Sequence, residues 1–416
     1  MQERIEFTQE MKRDYTILVP NMLPVHLKLV KDVFELHGYR MVLLDNEGPG
    51  IVEAGLKYVH NDTCYPALLC IGQFIDALQS GRFDVNRTAL IITQTGGGCR
   101  ASNYIHLLRK ALVRAGMAQV PVISLNPAGL EKNSGFQMTP TITLQAMTMI
   151  LYADVLMCLK NQVEPYENEK GACARLVDEW ADRLTAQFKS HPRAAALSFK
   201  KNVAAIARSF NDIPYTPADK VKVGIVGEIY VKYSDTANNH LERFLLEQGC
   251  EVNVPGLMGF LLNALDHTID DVDLYGGSRR NQFLARMAMR FVGSIENSIA
   301  KAVRRNSRLN PPTPYQTTRE ELDGVLGVGC KMGEGWLLTA EMCELIHSGV
   351  PNIVCVQPFG CLPNHIAGKG TIRALREKFP EANIVPIDYD PGATRVNQEN
   401  RLKLMLSVAR ESKQGA

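Results

Sequence analysis

Short, continuously apolar runs alternate with longer stretches of helical period through the first part of the chain. Ala89, Leu90, Ile91 and Ile92 form the clearest run, as expected of a parallel strand covered on both faces. Similar β-rich runs at 15–20, 41–45 and 120–126 read as its neighbours. Between them, Leu68, Ile71, Ile75 and Leu78 keep helical spacing, as do Ile105, Leu108 and Leu112; such a stripe lets a helix pack on a sheet. From 166 to 210 the chain becomes charged and helical, broken at His191-Pro192, and Ile213-Pro214-Tyr215-Thr216-Pro217 reads as a linker. A second strand–helix alternation follows at 221–226, 251–254, 352–357 and 383–388, interrupted by a long basic helical segment near 279–305.

The two halves echo each other. Ile91-Ile92-Thr93-Gln94 leads to Gly98-Cys99, and Val354-Cys355-Val356-Gln357 leads to Gly360-Cys361. The fourth strands run into Asn126-Pro127-Ala128-Gly129 and Asp390-Pro391-Gly392-Ala393. The pattern predicts a duplicated doubly wound α/β fold with parallel sheets. The first α/β domain spans 1–165 with Cys64 and Cys99, a helical connector covers 166–216, and the second domain spans 217–416 with Cys361. Open α/β sheets bind ligands beyond the carboxyl ends of their strands. Cys99 and Cys361 fall at that edge in both halves, so facing domains would bring them into one cleft.

Composition narrows the function classes. A chain of 416 residues suggests two or three domains at about 150 residues each. A formal net charge of +2 is too small to make nucleic acid or an anionic membrane the main partner. No run approaches the about 18 continuous apolar residues of a membrane-spanning helix. The first residues include Glu3, Arg4, Glu6, Glu10, Lys12, Arg13 and Asp14, unlike the apolar core of a signal peptide. A cytoplasmic location is expected, and there the ten cysteines would be mostly reduced. They form no CxxC pair, which argues against a zinc ribbon or a thioredoxin-type pair and leaves a site assembled from distant loops.

Three cysteines share one setting. Cys64 precedes Tyr65-Pro66 at a helix start, Cys99 follows Gly96-Gly97-Gly98, and Cys361 stands two residues before Pro363. Unpaired N–H groups at helix starts and glycine turns face whatever the loop cradles. Thiolates and cluster sulfides accept those hydrogen bonds, and the same field favours the thiolate. Three thiolates suit an iron–sulfur cubane whose fourth iron is open, four being the electron-transfer arrangement. Zinc on Cys64, Cys99, Cys361 and His365 is the competing metal reading, and reactive or merely buried thiols are the plainer one. Cys70, Cys158, Cys250, Cys343 and Cys355 lie in apolar patterns and are expected in the core. Cys173 has no evident role, and Cys330, in Gly327-Val328-Gly329-Cys330, is a candidate fourth ligand.

Nucleotide loops are incomplete. His365-Ile366-Ala367-Gly368-Lys369-Gly370-Thr371 resembles the end of a phosphate loop, but Pro363 stands where its first glycine belongs. Gly327-Val328-Gly329 meets Met332 at the third glycine of GxGxxG, and the Gly224–Gly227 turn is equally incomplete. ATP hydrolysis is not expected of this chain.

Four blocks together resemble the double-cubane cluster proteins of the 2-hydroxyacyl-CoA dehydratase superfamily. They are Asn61-Asp62-Thr63-Cys64-Tyr65-Pro66, Gln94-Thr95-Gly96-Gly97-Gly98-Cys99-Arg100-Ala101-Ser102-Asn103-Tyr104, Gly333-Glu334-Gly335-Trp336-Leu337-Leu338-Thr339-Ala340-Glu341-Met342 and Gln357-Pro358-Phe359-Gly360-Cys361-Leu362-Pro363-Asn364-His365. The resemblance spans essentially the whole chain and extends to the C-terminal module of very large proteins that carry their own activator domains. It implies two Rossmann-like domains plus helices, with Cys64, Cys99 and Cys361 gripping an oxygen-sensitive [4Fe-4S] cubane. In the double-cubane members a sulfide joins two cubanes into [8Fe-9S], and a symmetric dimer of this chain would supply six thiolates. A separate homodimeric iron–sulfur ATPase would deliver electrons in trans, ATP being used by that partner. The implied activity is low-potential reduction of small molecules such as acetylene, azide and hydrazine. The alternatives are a 2-hydroxyacyl-CoA dehydratase subunit working through a ketyl radical, and a metal-binding scaffold without turnover. Glu334 is a candidate proton relay, Arg100 a candidate counter-charge and His365 a candidate proton or hydrogen-bond donor.

Overall fold

Two four-stranded parallel sheets organise the computed structural model, which describes residues 4–60, 62–95, 97–126, 130–190, 198–322 and 324–414. The first contains β1 (Thr16–Val19), β2 (Met41–Leu43), β3 (Thr88–Thr93) and β4 (Val122–Leu125), in the order β2-β1-β3-β4. The second contains β5 (Lys222–Gly227), β6 (Glu251–Asn253), β7 (Asn352–Pro358) and β8 (Asn383–Tyr389), in the order β6-β5-β7-β8. Every neighbouring pair is parallel. The chain is therefore α/β with two Rossmann-like parallel-sheet domains and helices, and its halves repeat one strand order. The breaks at Pro127-Ala128-Gly129 and His191-Pro192, and the motif residues Asn61 and Gly96, lie outside the described residues.

Burial follows strand position. β3 is buried from Thr88 to Ile92, and β7 from Ile353 to Pro358, because each lies between two strands and under helices on both faces. The edge strand β8 alternates buried and half-buried residues and tolerates Pro386, since an edge strand has ladder positions where no donor is needed. The helix Tyr65–Gln79 is buried on almost every side. It lies so close to the helix Pro49–Tyr58 that a Cβ on Gly72 would stand 2.1 Å from the Ile51 carbonyl oxygen.

A helical layer joins the halves, and it draws on more of the chain than 166–216. At its centre runs Pro140–Val163, against Pro24–Leu36, Ala172–Ser190, Phe199–Asn211 and Leu257–Tyr275. Among the described residues this is the one helix long and apolar enough to cross a membrane, and it is mostly buried inside the fold. Polar residues such as Thr143, Gln145 and Thr148 interrupt it, so no continuous apolar run announces it. Asp154, midway along, lies 2.9 Å from His26 Nε2 and accepts the Leu257 and Met258 N–H groups at 2.7 and 2.9 Å. A carboxylate there satisfies orphan donors and the positive end of the helix Leu257–Tyr275. One buried side chain thus ties the first half to the second.

Gly72→Ala is expected to destabilise the protein by about 1–3 kcal/mol through overpacking. Chemical denaturation reads this as a lowered midpoint; an unchanged midpoint would mean that the two helices have room to spare.

Candidate functional site

β3 and β7 release their loops at the same edge of the molecule, and the third cysteine comes to meet them. Cys99 leads into the short 3₁₀ turn Arg100–Ser102 and then the helix Tyr104–Arg114. Cys361 precedes the turn Asn364–Gly368, and Cys64 caps the helix Tyr65–Gln79, with Pro66 in its first turn. The Tyr65 N–H donates to the Phe359 carbonyl across the halves at 3.0 Å. Gly360, at φ 71°, permits this approach: a Cβ there would stand 3.1 Å from Cys64 Cα. The loop before the helix Trp336–His347 closes the fourth side. A Cβ on Gly333, at φ 60°, would lie 2.8 Å from Pro363 Cγ and 3.6 Å from Cys99 Cβ. Segments 62–65, 97–100, 330–336 and 358–365 thereby interlock.

Each thiol faces a backbone donor, as the helix-start positions predict. Cys64 has the Ala67 N–H and the Tyr104 hydroxyl at 2.9 Å, Cys99 has the Ala101 N–H, and Cys361 has the Asn364 N–H. Burial outweighs these donors and pushes all three thiols up, Cys99 to about 11, while Glu334 and Glu228 push Cys99 and Cys361 the same way. All ten cysteines are free. The three are therefore neutral thiols near pH 7 unless a metal displaces their protons, which is unlike an activated nucleophile.

Three thiols on interlocked loops are donors of the type that iron–sulfur clusters and zinc both take. Cys64 raises the Cys99 thiol, and Cys99 in turn raises that of Cys361. Among the described residues no three His, Cys, Asp or Glu side chains close around one point. His365 is exposed and its Nδ1 donates to its own Cys361 carbonyl at 2.7 Å. Arg100 is exposed, and its charge makes a small contribution that favours the Cys64 thiolate.

The remaining cysteines sort by packing. Cys330 shares a loop with Glu334, and its carbonyl accepts the Trp336 N–H at 2.7 Å. Its side chain packs with Val325 and Leu326 against the core of the second half; burial alone shifts its thiol. Cys70, Cys250, Cys343 and Cys355 are buried, while Cys158 is half-buried with its sulfur 3.6 Å from the Asn310 carbonyl. Cys173, despite its charged surroundings, is fully buried.

Two buried carboxyl groups stand beside the thiols. Glu334 Oε1 accepts the Ile229 N–H at 2.8 Å, and Glu228 caps the same short helix by accepting the Val231 N–H at 2.9 Å. Burial and then Glu334 push Glu228 up to about 8, and burial also raises Glu334. Behind them Lys232 holds Glu341 at 3.0 and 3.1 Å in a buried pair. The flanking glycines make Glu334 conspicuous in the sequence. Glu228 escapes that test, although a carboxylate directly after β5 at the ligand edge is a signal of its own.

No family model matches the chain, and no curated protein matches it.

In metal-free protein, Cys99 should react slowly with iodoacetamide at pH 7 and follow an apparent pKa near 11. A midpoint below about 8 in the alkylation rate would instead mark an activated thiolate.

Proposed function

We propose that the chain is a cytoplasmic iron–sulfur reductase of small molecules, with Cys64, Cys99 and Cys361 as cluster ligands. The observation that carries this reading is that three cysteines free of disulfides, each facing a backbone N–H, sit on the interlocked loops 62–65, 97–100 and 358–365. When bound, the cluster supplies low-potential electrons. The Ala67, Ala101 and Asn364 N–H groups and the Tyr104 hydroxyl stabilise thiolate charge. Glu228, pushed up to about 8, holds a proton near neutral pH, and burial raises Glu334 beside it. Acetylene would take up two electrons and two protons to leave as ethylene, the carboxyl groups serving as the proton store. The electrons come from a separate ATP-hydrolysing iron–sulfur activator.

The functional unit is a homodimer whose six thiolates hold a sulfide-bridged [8Fe-9S] pair, with one [4Fe-4S] cubane per chain as the alternative. Met332, Phe359, Leu362 and Ile366, on the cradle loops, are each about half exposed; an apolar rim of this kind favours a covered face.

Iron and sulfide analysis after anaerobic purification tests the cluster. Cys99→Ala should lose iron and Cys70→Ala should keep it; zinc, or protein without iron, would overturn the reading in favour of another metal site or a scaffold. With reduced activator and ATP, acetylene should yield ethylene, whereas enoyl-CoA formed from a 2-hydroxyacyl-CoA would make the chain a dehydratase subunit.

The carboxyl pair is tested separately. Glu334→Gln should keep its iron and lose at least ~100-fold in turnover, the usual scale for a positioned acid. Wild-type turnover should fall as pH rises through about 8, where Glu228 gives up its proton. A flat profile from pH 6 to about 9 would remove the pair from proton delivery.

A further inference from the structure

Next to the loops that carry Cys64 and Cys99 lies a concavity. It holds about 330 Å³ between the end of the helix Pro49–Tyr58 and the flank of the helix Tyr104–Arg114. We infer that it is an anion-binding site for the carboxylate or phosphate group of a small molecule, held by Thr63, Arg100 and Lys110.

Three observations converge on this chemistry. Thr63 lines the cavity and is 3% exposed, yet among the described residues its hydroxyl has no hydrogen-bond partner. A buried hydroxyl is seldom left unpaired, and this one belongs to a residue on the cavity wall. The Thr63 N–H is already committed to the His60 carbonyl at 3.1 Å, so the side chain alone is free. Arg100 and Lys110 line the same cavity, are exposed, and make no ion pair among the described residues. A guanidinium and an ammonium on the wall of one concave site favour an oxyanion, and the fork of an arginine suits its paired oxygens.

The two backbone carbonyls at the end of the helix Pro49–Tyr58 are occupied. The Tyr58 and Val59 carbonyls accept from Arg114 at 3.1 and 3.0 Å. Asp62 is exposed and not among the lining residues; its N–H donates at 3.1 Å to Nδ1 of His60, which does line the cavity. Val59 and Leu107 give the cavity an apolar side, which suits the carbon skeleton of a small organic anion. Thr63 and Arg100 directly adjoin Cys64 and Cys99 in sequence, so an anchored molecule would lie beside the cradle; only this placement rests on the reductase reading.

Isothermal titration of the full chain with inorganic phosphate, and separately with acetate, tests the site. Saturable one-to-one binding of either is expected, and which of the two binds tells phosphate from carboxylate. Arg100→Gln and Lys110→Gln should each weaken it roughly ten-fold or more, the scale of a lost charge-assisted hydrogen bond. Thr63→Val should weaken it while Thr63→Ser preserves it, which separates the hydroxyl from a folding defect. Arg373→Gln, altering an exposed arginine paired with Glu377 at 2.9 Å, should change nothing. Cys361→Ala should bind the anion like wild type even after losing iron, so failure of the cluster reading would leave this site intact. No saturable binding of either anion, or binding indifferent to Arg100→Gln and Thr63→Val, would overturn the assignment.

Discussion

The hydrogen bond from the Tyr65 N–H to the Phe359 carbonyl is the constraint around which the site is arranged. A helix leaves its first N–H groups without intrahelical partners, and buried ones must find acceptors elsewhere. Here the acceptor belongs to the other half of the chain. The same bond therefore completes the start of the helix Tyr65–Gln79, docks the loop after β7 and sets Cys64 opposite Cys361. Gly360 has to be glycine for the two backbones to approach so closely. Helix start, domain contact and thiol placement form one solution.

Around that contact the chain accepts an unusual density of buried ionisable groups. Glu228, Glu334 and Glu341 are all buried with only Lys232 as a buried cation among them. Burial disfavours their charged forms and raises all three from the usual carboxylate range, Glu228 to about 8, while Lys232 opposes the rise at Glu341. Dry, hydrogen-bonded ionisable groups of this kind are a poor choice for stability alone. They mark a region where charge is expected to change.

Much of the fold was legible in the sequence because parallel strands have a strong signature. Apolar runs such as 89–92 exposed all eight strands, and the recurrence of a glutamine followed by Gly-Cys announced the repeated topology. Cys64, Cys99 and Cys361 were legible through their prolines and glycines, which mark turns whatever the tertiary context. The helical layer was harder, since Pro140–Val163 is buried on many faces and shows no single stripe. Long-range partnerships left no local trace. Asp154 meeting the start of the Leu257–Tyr275 helix, Glu228 beside Glu334 and the unpaired Thr63 hydroxyl depend on distant segments arriving together. Cys173 showed no evident role in the sequence; it is buried because its charged neighbours occupy the other face of an amphipathic helix.

The repeated strand order has a further consequence when the helices that feed β3 and β7 are superposed in the mind. In the first half that helix starts on Cys64; in the second it starts on Gly335, just after Glu334. Cys99 and Cys361 hold equivalent places in the repeated strand order, whereas Cys64 has an acidic glycine turn as its counterpart. The pseudo-symmetry is broken at one corner of four. Three corners of the interlocked loops carry soft sulfur and the last a hard, protonatable oxygen, although the scaffold beneath repeats one strand order on both sides.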